Sequence, residues 1–398
     1  MHPADEIRGG KGSRLFQKKI VLAITGSIAA VETVKLSREL IRHGAEVFPV
    51  MTPSATQIIH PDALEFATGN KPIVKLTGAT EHVSFMGRVK KPADMLLISP
   101  CTANTISKIA HGIDDTSVTT FATTAIGSGI PIMIVPAMHL SMYDHKIVQK
   151  NIESCKKIGI KFVEPTIVGN KAKMADIDFV VSSVIKEIGK QDFAKKKILV
   201  IGGSTAESID DVRILTNRSS GKTAIWLAKN AFYRGADVEL WYGWHQESAP
   251  DYIKTVNFES LNDLLTLVKT KNLKNFYAII ICAALADYVP KTQKGKIPSG
   301  KKDFVLNLSI APKVIANLKK KASNAKIIGF KVEAQKKDIK QKASDLLKRN
   351  NLDFVIANTT GGFSEDQNEI WIIDKKGKDS HKKGKKEQLT DSILDLLI

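Results

Sequence analysis

Short β-branched apolar runs alternate with amphipathic stretches along nearly the whole chain. The run KKIVLAITGS (18–27) ends on Gly26-Ser27, and a helical pattern follows over 29–42, with Val31, Val34, Leu36, Leu40 and Ile41 apolar. It closes at His43-Gly44-Ala45, and a second strand occupies 46–51. Strand, tight turn, helix, strand is the grammar of a parallel sheet. The grammar recurs as a strand at 93–100, a helix at 102–113, a strand at 130–138, a helix over 144–158 and a strand at 160–165. These strands are almost continuously apolar, as expected where helices cover both sheet faces.

The pattern breaks at 187–197, EIGKQDFAKKK, and then restarts: strand KKILVIGGST (196–205), helix 221–236, strand 237–243. Strands at 278–288, 303–310, 325–333 and 353–359 and helices near 312–322 and 336–349 complete this half. The expected fold is α/β, two doubly wound, Rossmann-like parallel-sheet domains. Their expected bounds are 18–190 and 191–398, with 1–17 a flexible tail. The Lys-rich stretch 375–386 reads as a solvated loop.

Length and composition narrow the classes. The 398 residues, 43% hydrophobic, suffice for two or three domains with real cores. No apolar run reaches the roughly 18 residues of a membrane span, and the N-terminus lacks a secretory pattern. Cys101, Cys155 and Cys282 are scattered without a CxxC spacing, so reduced thiols and a cytoplasmic setting are expected rather than a disulfide or zinc framework. The net charge is +18, with 23 basic and 18 acidic residues in 1–194 against 36 and 23 in 195–398. Such an excess suits anionic partners without choosing among nucleic acid, membrane and phosphorylated small molecules. Nucleic-acid binding has only the charge in its favour, since no aromatic interleaving or binding module accompanies it.

Open α/β sheets bind ligands beyond the carboxyl ends of strands, where helix N-termini offer N–H groups to anions. Three such ends carry small hydroxyl or amide residues: Thr25-Gly26-Ser27, Met51-Thr52-Pro53-Ser54, and Pro100-Cys101-Thr102-Ala103-Asn104-Thr105. They form a phosphate cradle or are ordinary βα-turn residues; both readings use the same side chains. The absence of GxGxxG and Walker motifs disfavours NAD and P-loop chemistry. His82, in Glu81-His82-Val83-Ser84, and the run Pro136-Ala137-Met138-His139 are further candidates, with core packing the plainer alternative for each.

The order ITGSIAA, EHVS, P-x-TANTISKIAHGI, P-A-M-x-x-x-M over about 18–185 resembles the flavin-dependent cysteine decarboxylases. The resemblance implies a flavoprotein domain that binds FMN at Gly26, Ser27, Ile28, Thr52, Ser54, Pro100, Thr102 and Asn104. It implies that His82 is catalytic and that Met138 and His139 contact substrate. In that family, oxidation of a substrate thiol at the flavin gives the electron pair of the departing carboxylate a sink. Two departures stand out: His139 replaces the usual Asn, and 164–174 has no Cys where relatives carry a flap cysteine.

Residues 202–222, GGSTAESIDDVRILTNRSSGK, resemble the fingerprint of the phosphopantothenate–cysteine ligase domain, G-x-T-x-E-x-x-D-x-V-R-x-x-x-N-x-S-S-G-K. Matches continue at 283–288, Lys296-Ile297, Gly329-Phe330 and Asn358. Together the halves resemble the fused bifunctional proteins of coenzyme A biosynthesis. The implied reactions are CTP-dependent ligation of 4′-phosphopantothenate with cysteine through an acyl-cytidylate, then decarboxylation to 4′-phosphopantetheine.

By the same resemblance Asn217 and Lys296 are catalytic, and Ser219, Ser220, Gly221 and Lys222 bind substrate. Gly203, Ala283, Ala284, Asp287, Lys296, Gly329 and Phe330 meet CTP, and Asp287 meets Mg2+. Leu346, Asn350 and Pro298 stand where relatives often carry lysines. The partners implied are small molecules, with neither nucleic acid nor membrane, and a homo-oligomer, a dodecamer in the family pattern. An active ligase fused to an FMN-binding scaffold of weak decarboxylase activity is the alternative that the missing flap cysteine keeps open.

Overall fold

A computed structural model describes residues 2–300, 304–362 and 366–398. The chain divides into two compact units, Met1–Gly189 and Lys190–Ile398.

The first unit contains β1 (Lys19–Ile24), β2 (Glu46–Met51), β3 (Met95–Cys101), β4 (Ile132–Pro136), β5 (Met138–His139), β6 (Lys161–Phe162), β7 (Thr166–Val168) and β8 (Lys171–Lys173). Strands β2-β1-β3-β4-β6 form one parallel sheet. Residues Ile20 to Ile24 of β1 are all fully buried, so both faces of the strand are covered. The order is that of a flavodoxin-like sheet, and it reverses between β1 and β3. A small antiparallel sheet, β5-β8-β7, lays the hairpin 166–173 against Met138 and His139.

The expected flexible tail is corrected by this structure: residues 2–17 are a packed arm. Leu15 is fully buried and Ala4 nearly so. Gly9 N, Lys11 N and Leu15 N donate to the carbonyls of Ile41, Arg42 and His43 at 3.1, 2.9 and 2.8 Å. Those carbonyls end the helix Thr33–Arg42; Ile41 O also accepts from Gly44 N at 2.8 Å, and the arm supplies the donors to Arg42 and His43.

The second unit contains β9 (Lys197–Gly202), β10 (Ala206–Ser208), β11 (Ile214–Thr216), β12 (Asp237–Tyr242), β13 (Lys254–Asn257), β14 (Ala278–Ile281), β15 (Tyr288–Pro290), β16 (Leu308–Ile310), β17 (Lys326–Glu333), β18 (Phe354–Thr359), β19 (Gln367–Asp374) and β20 (Asp379–Lys385). Its main sheet runs β13-β12-β9-β14-β17-β18-β19-β20. The first six of these strands are parallel in the Rossmann order, which reverses between β9 and β14, whereas β19 and β20 are antiparallel. Side chains alternate between two cores: Leu199, Ile201, Ile279 and Ile281 face one, and Ile198, Val200 and Ile280 the other.

Three expectations need correction here. The 375–386 stretch is not a loop, because most of it is β20, hydrogen-bonded along β19 with exposed side chains on both faces. Lysines on such an edge discourage pairing with another chain. The strand expected at 278–288 stops at Ile281, because the backbone then turns to pair with the loop after β9: Ala284 N donates to Gly203 O at 2.9 Å. The strand expected at 303–310 is regular only over Leu308–Ile310, and Asp303 lies outside the described residues.

Arg234, only 2% exposed, locks the ends of this unit together. It pairs with Asp192, Asp391 and Asp395 at 2.7, 3.2 and 2.9 Å, and its guanidinium lies 4.7 Å from the Phe193 ring centre. It also caps the C-terminus of the helix Lys222–Tyr233, where a cation is favoured. Arg234→Met keeps the stem and leaves three carboxylates without their cation, which should cost about 2–3 kcal/mol. All four tryptophans lie in this unit, so denaturant unfolding followed by tryptophan emission reads it directly. An unshifted midpoint would contradict the assignment.

Candidate functional site

In each unit several candidate residues lie at the point where its strand order reverses. In the first unit, the ends of β1, β2 and β3 are laced together. Thr25 Oγ1 donates to Pro100 O at 2.9 Å and accepts from Thr102 N at 3.1 Å, while Thr52 N donates to Ile24 O at 3.0 Å. Beyond each strand a hydroxyl caps the next helical turn. Ser27 Oγ accepts from Ala29 N, Thr52 Oγ1 from Ala55 N, and Thr102 Oγ1 from Thr105 N.

Gly26 is needed for close approach, since a Cβ there would lie 2.6 Å from Ser54 Cβ. Pro100 is buried in β3, whereas Ser54 and Asn104 are exposed on the first turns of their helices. Ile28 is 78% exposed, beside Val31 at 47%. The Pro136–Met142 loop reaches the cradle through Ser27 Oγ, 3.4 Å from Ala137 O. Met138 packs partly into the core, and His139 points outward, paired in register with Lys171 of the hairpin.

His82 lies on the helix Glu81–Met86, which docks through Phe85 on Phe48 of β2, with ring centres 4.8 Å apart. Its Nδ1 is buried and has no hydrogen-bond partner. A buried nitrogen without a partner is costly unless a ligand completes it. The capped turns, the close approach that Gly26 allows and this nitrogen fit a flavin mononucleotide with a small substrate.

In the second unit a cavity of about 630 Å³ opens at the switch point. Its wall includes Gly203, Asn217, Ser219, Ser220, Gly221, Lys222, Ala283, Ala284, Asp287 and Phe330. Gly221 starts the helix Lys222–Tyr233 at φ +82°, and a Cβ on it would lie 2.0 Å from the Tyr242 hydroxyl, so no other residue fits. Asn217 Nδ2 donates to Ala284 O and Leu285 O at 3.1 and 3.3 Å, which fixes the amide at the wall. Lys222 is held by Asp366 and Glu247 at 3.2 and 3.6 Å. Asp287 is largely exposed, with Lys313 Nζ 4.0 Å away. Cys282 also lines the wall, but burial pushes its thiol up to about 12, so it is no nucleophile at neutral pH.

Two expected site residues are not in that wall. Lys296 sits on an exposed loop held by Asp210 and Asp211. Gly329 serves packing, because a Cβ there would lie 2.7 Å from Leu352 Cδ1. The cavity adds residues the sequence did not single out: Arg218, Lys313, Lys331 and Arg349. In a chain with 59 basic residues, no local signal separates these four cations from the solvated ones. Leu346 and Asn350 do line the wall, and Arg349 and Lys331 bring charge near them.

Among the described residues, no group of three or more His, Cys, Asp or Glu could hold a metal by itself. No helix of the described residues is long and apolar enough to cross a membrane.

Comparison with known proteins follows the same division. Residues 11–189 match the Flavoprotein family, and residues 193–398 match the DNA/pantothenate metabolism flavoprotein C-terminal domain. The coenzyme A biosynthesis bifunctional protein CoaBC of Thermococcus kodakarensis is 43% identical over 388 residues, 96% of this chain and 94% of that protein. The protein of the same description from Methanocaldococcus jannaschii is 38% identical over 403 residues, 99% of this chain and 97% of the other. A solved DNA/pantothenate metabolism flavoprotein from Streptococcus pneumoniae, 26% identical, covers 50% of this chain and 97% of its own at a TM-score of 0.46. Two domain families in the same order, and full-length relatives at this identity, place the chain in the bifunctional CoaBC family of coenzyme A biosynthesis proteins.

Proposed function

We propose that the chain performs two steps of coenzyme A biosynthesis, joining 4′-phosphopantothenate to cysteine in the second unit and decarboxylating the product in the first. The observation that carries this is the cavity at the β9/β14 switch point, which gathers Asn217, Ser219, Ser220, Gly221 and Asp287 around one space. Membership in the family supports both activities.

In the second unit, Asp287 would hold the Mg2+ that accompanies CTP, a hard cation suited to carboxylate and phosphate oxygens. The substrate carboxylate attacks the α-phosphate, and pyrophosphate leaves. The excess of cations on the cavity wall favours a triphosphate there. Lys296 offsets the charge that grows on the α-phosphate, and Asn217, fixed by its bonds to Ala284 and Leu285, holds the acyl-cytidylate for the cysteine amine.

In the first unit, Ser27, Thr52 and Thr102 hold the phosphate end of FMN. Bound flavin supplies a reversible two-electron sink. His82 takes a proton from the substrate, and Met138 and His139, beside the hairpin 166–173, orient the substrate. The exposed Ile28 and Val31 beside the cradle are consistent with a flavin site shared between subunits of a homo-oligomer.

Three outcomes test these roles. The purified chain should show visible flavin absorbance that Gly26→Val abolishes, because the new side chain drives the β1 and β2 turns apart; a wild-type protein colourless after FMN is added would contradict the cradle. His82→Asn should lower carbon dioxide release from supplied phosphopantothenoylcysteine by about a hundredfold or more, with ligation unchanged. Loss of both activities in a folded variant would overturn the division of labour.

The third outcome concerns the two ligase residues. Asn217→Asp should release pyrophosphate and accumulate phosphopantothenoyl-cytidylate, whereas Lys296→Gln should lose pyrophosphate release by about a hundredfold. The reverse pattern by mass spectrometry would exchange the roles.

A further inference from the structure

Asp210 is a carboxylate in the fingerprint that none of the chemistry above uses. Its side chain is fully buried. Oδ1 accepts from Val212 N at 2.9 Å and Arg213 N at 2.7 Å, and Oδ2 accepts from Ile297 N at 3.0 Å and from the Arg213 guanidinium. The Ile297 amide first, then those of Val212 and Arg213, hold the carboxyl well below the usual carboxylate range. It therefore stays ionised wherever the enzyme works. A group so placed has no lone pair directed at a metal or a nucleotide.

What it holds is the segment that carries Lys296. Thr292 Oγ1 donates to Ser208 O at 2.9 Å and Gln293 N to Ile209 O at 3.0 Å. Gly295 N donates to Asp211 Oδ2 at 3.0 Å, and Arg213 Nη1 to Ile297 O at 3.2 Å. Ile297 is 7% exposed and anchors the segment inward, which leaves Lys296 facing solvent between two pinned neighbours. The residues that grip it form the tip of the β10–β11 hairpin, and the chain leaving that hairpin enters the cavity wall at Asn217.

We infer that Asp210 is a positioning residue: with Asp211 and Arg213 it clasps residues 295–297 to the β10–β11 tip, so that Lys296 is presented with the hairpin rather than on a free loop. The inference rests on the role of Lys296 proposed above. One hairpin then carries both ligase groups, Asn217 at its root and Lys296 at its tip. The loop entropy of aligning the lysine is spent in folding and not in each turnover.

The test uses the full chain with 4′-phosphopantothenate, CTP and Mg2+, without cysteine, and reads pyrophosphate. Asp210→Asn should slow the first step at least tenfold with the KM for CTP changed less than twofold. The exposed Asp211→Ala, which removes only the side chain's Gly295 contact, should slow it about threefold and serves where the Asp210 variant unfolds. Introduced into Lys296→Gln, either substitution should cost less than a further twofold, because there is no longer a lysine to align. A purely structural role would give the same factor in both backgrounds and would overturn the inference. So would a wild-type rate for Asp210→Asn while Lys296→Gln is slow. A wild-type rate for Lys296→Gln itself would instead remove the lysine's role, and the positioning inference with it.

Discussion

Where the order of a parallel sheet reverses, successive crossovers leave in opposite directions and no connection covers the carboxyl ends of the two strands beside the break. The backbone there must still find partners, and it finds them across the gap. In the first unit Thr25 joins the ends of β1 and β3 through Pro100 and Thr102. In the second, the loop after β9 pairs with the loop after β14 through Gly203 and Ala284, and Thr205 Oγ1 accepts from Ala286 N. Once these bonds are fixed, the following helix starts are fixed as well, and with them the direction of their unpaired amides. Both sites of the chain are consequences of this one constraint.

The two gaps are furnished differently. Hydroxyl caps and the glycine approach at Gly26 make the first a narrow cradle suited to a single phosphate. The second is roomy and ringed by Arg218, Lys313, Lys331 and Arg349, in the half of the chain that holds 36 basic and 23 acidic residues. Long basic side chains at such a rim suit a ligand of high negative charge.

Much of the fold was legible because of burial on both faces. β1 and β9 read as strands since every residue must be apolar, and the turns after them read as turns since only small residues fit. Elements with weak sidedness were opaque. β20 has solvent on both faces and a polar sequence, so its pairing with β19 leaves no periodic trace. The 2–17 arm docks through two apolar residues and backbone bonds, which a polar, glycine-rich sequence does not advertise. Among the expected site residues, those within a few positions of a strand end lie at the gaps. Gly329 lies away from the cavity; a glycine kept for Leu352 looks the same as one kept for a ligand. The clasp between Asp210 and residues 295–297 spans more than eighty positions and has no local signature.

The central claim is that one chain converts 4′-phosphopantothenate into 4′-phosphopantetheine at these two gaps. The most direct measurement supplies the purified full-length chain with 4′-phosphopantothenate, cysteine, CTP and Mg2+ and follows every product by mass spectrometry. The account predicts pyrophosphate, CMP, carbon dioxide and 4′-phosphopantetheine in equal amounts. Accumulation of phosphopantothenoylcysteine without carbon dioxide, in a flavin-loaded preparation, would contradict the decarboxylating half, and absence of any cysteine adduct would contradict the ligating half.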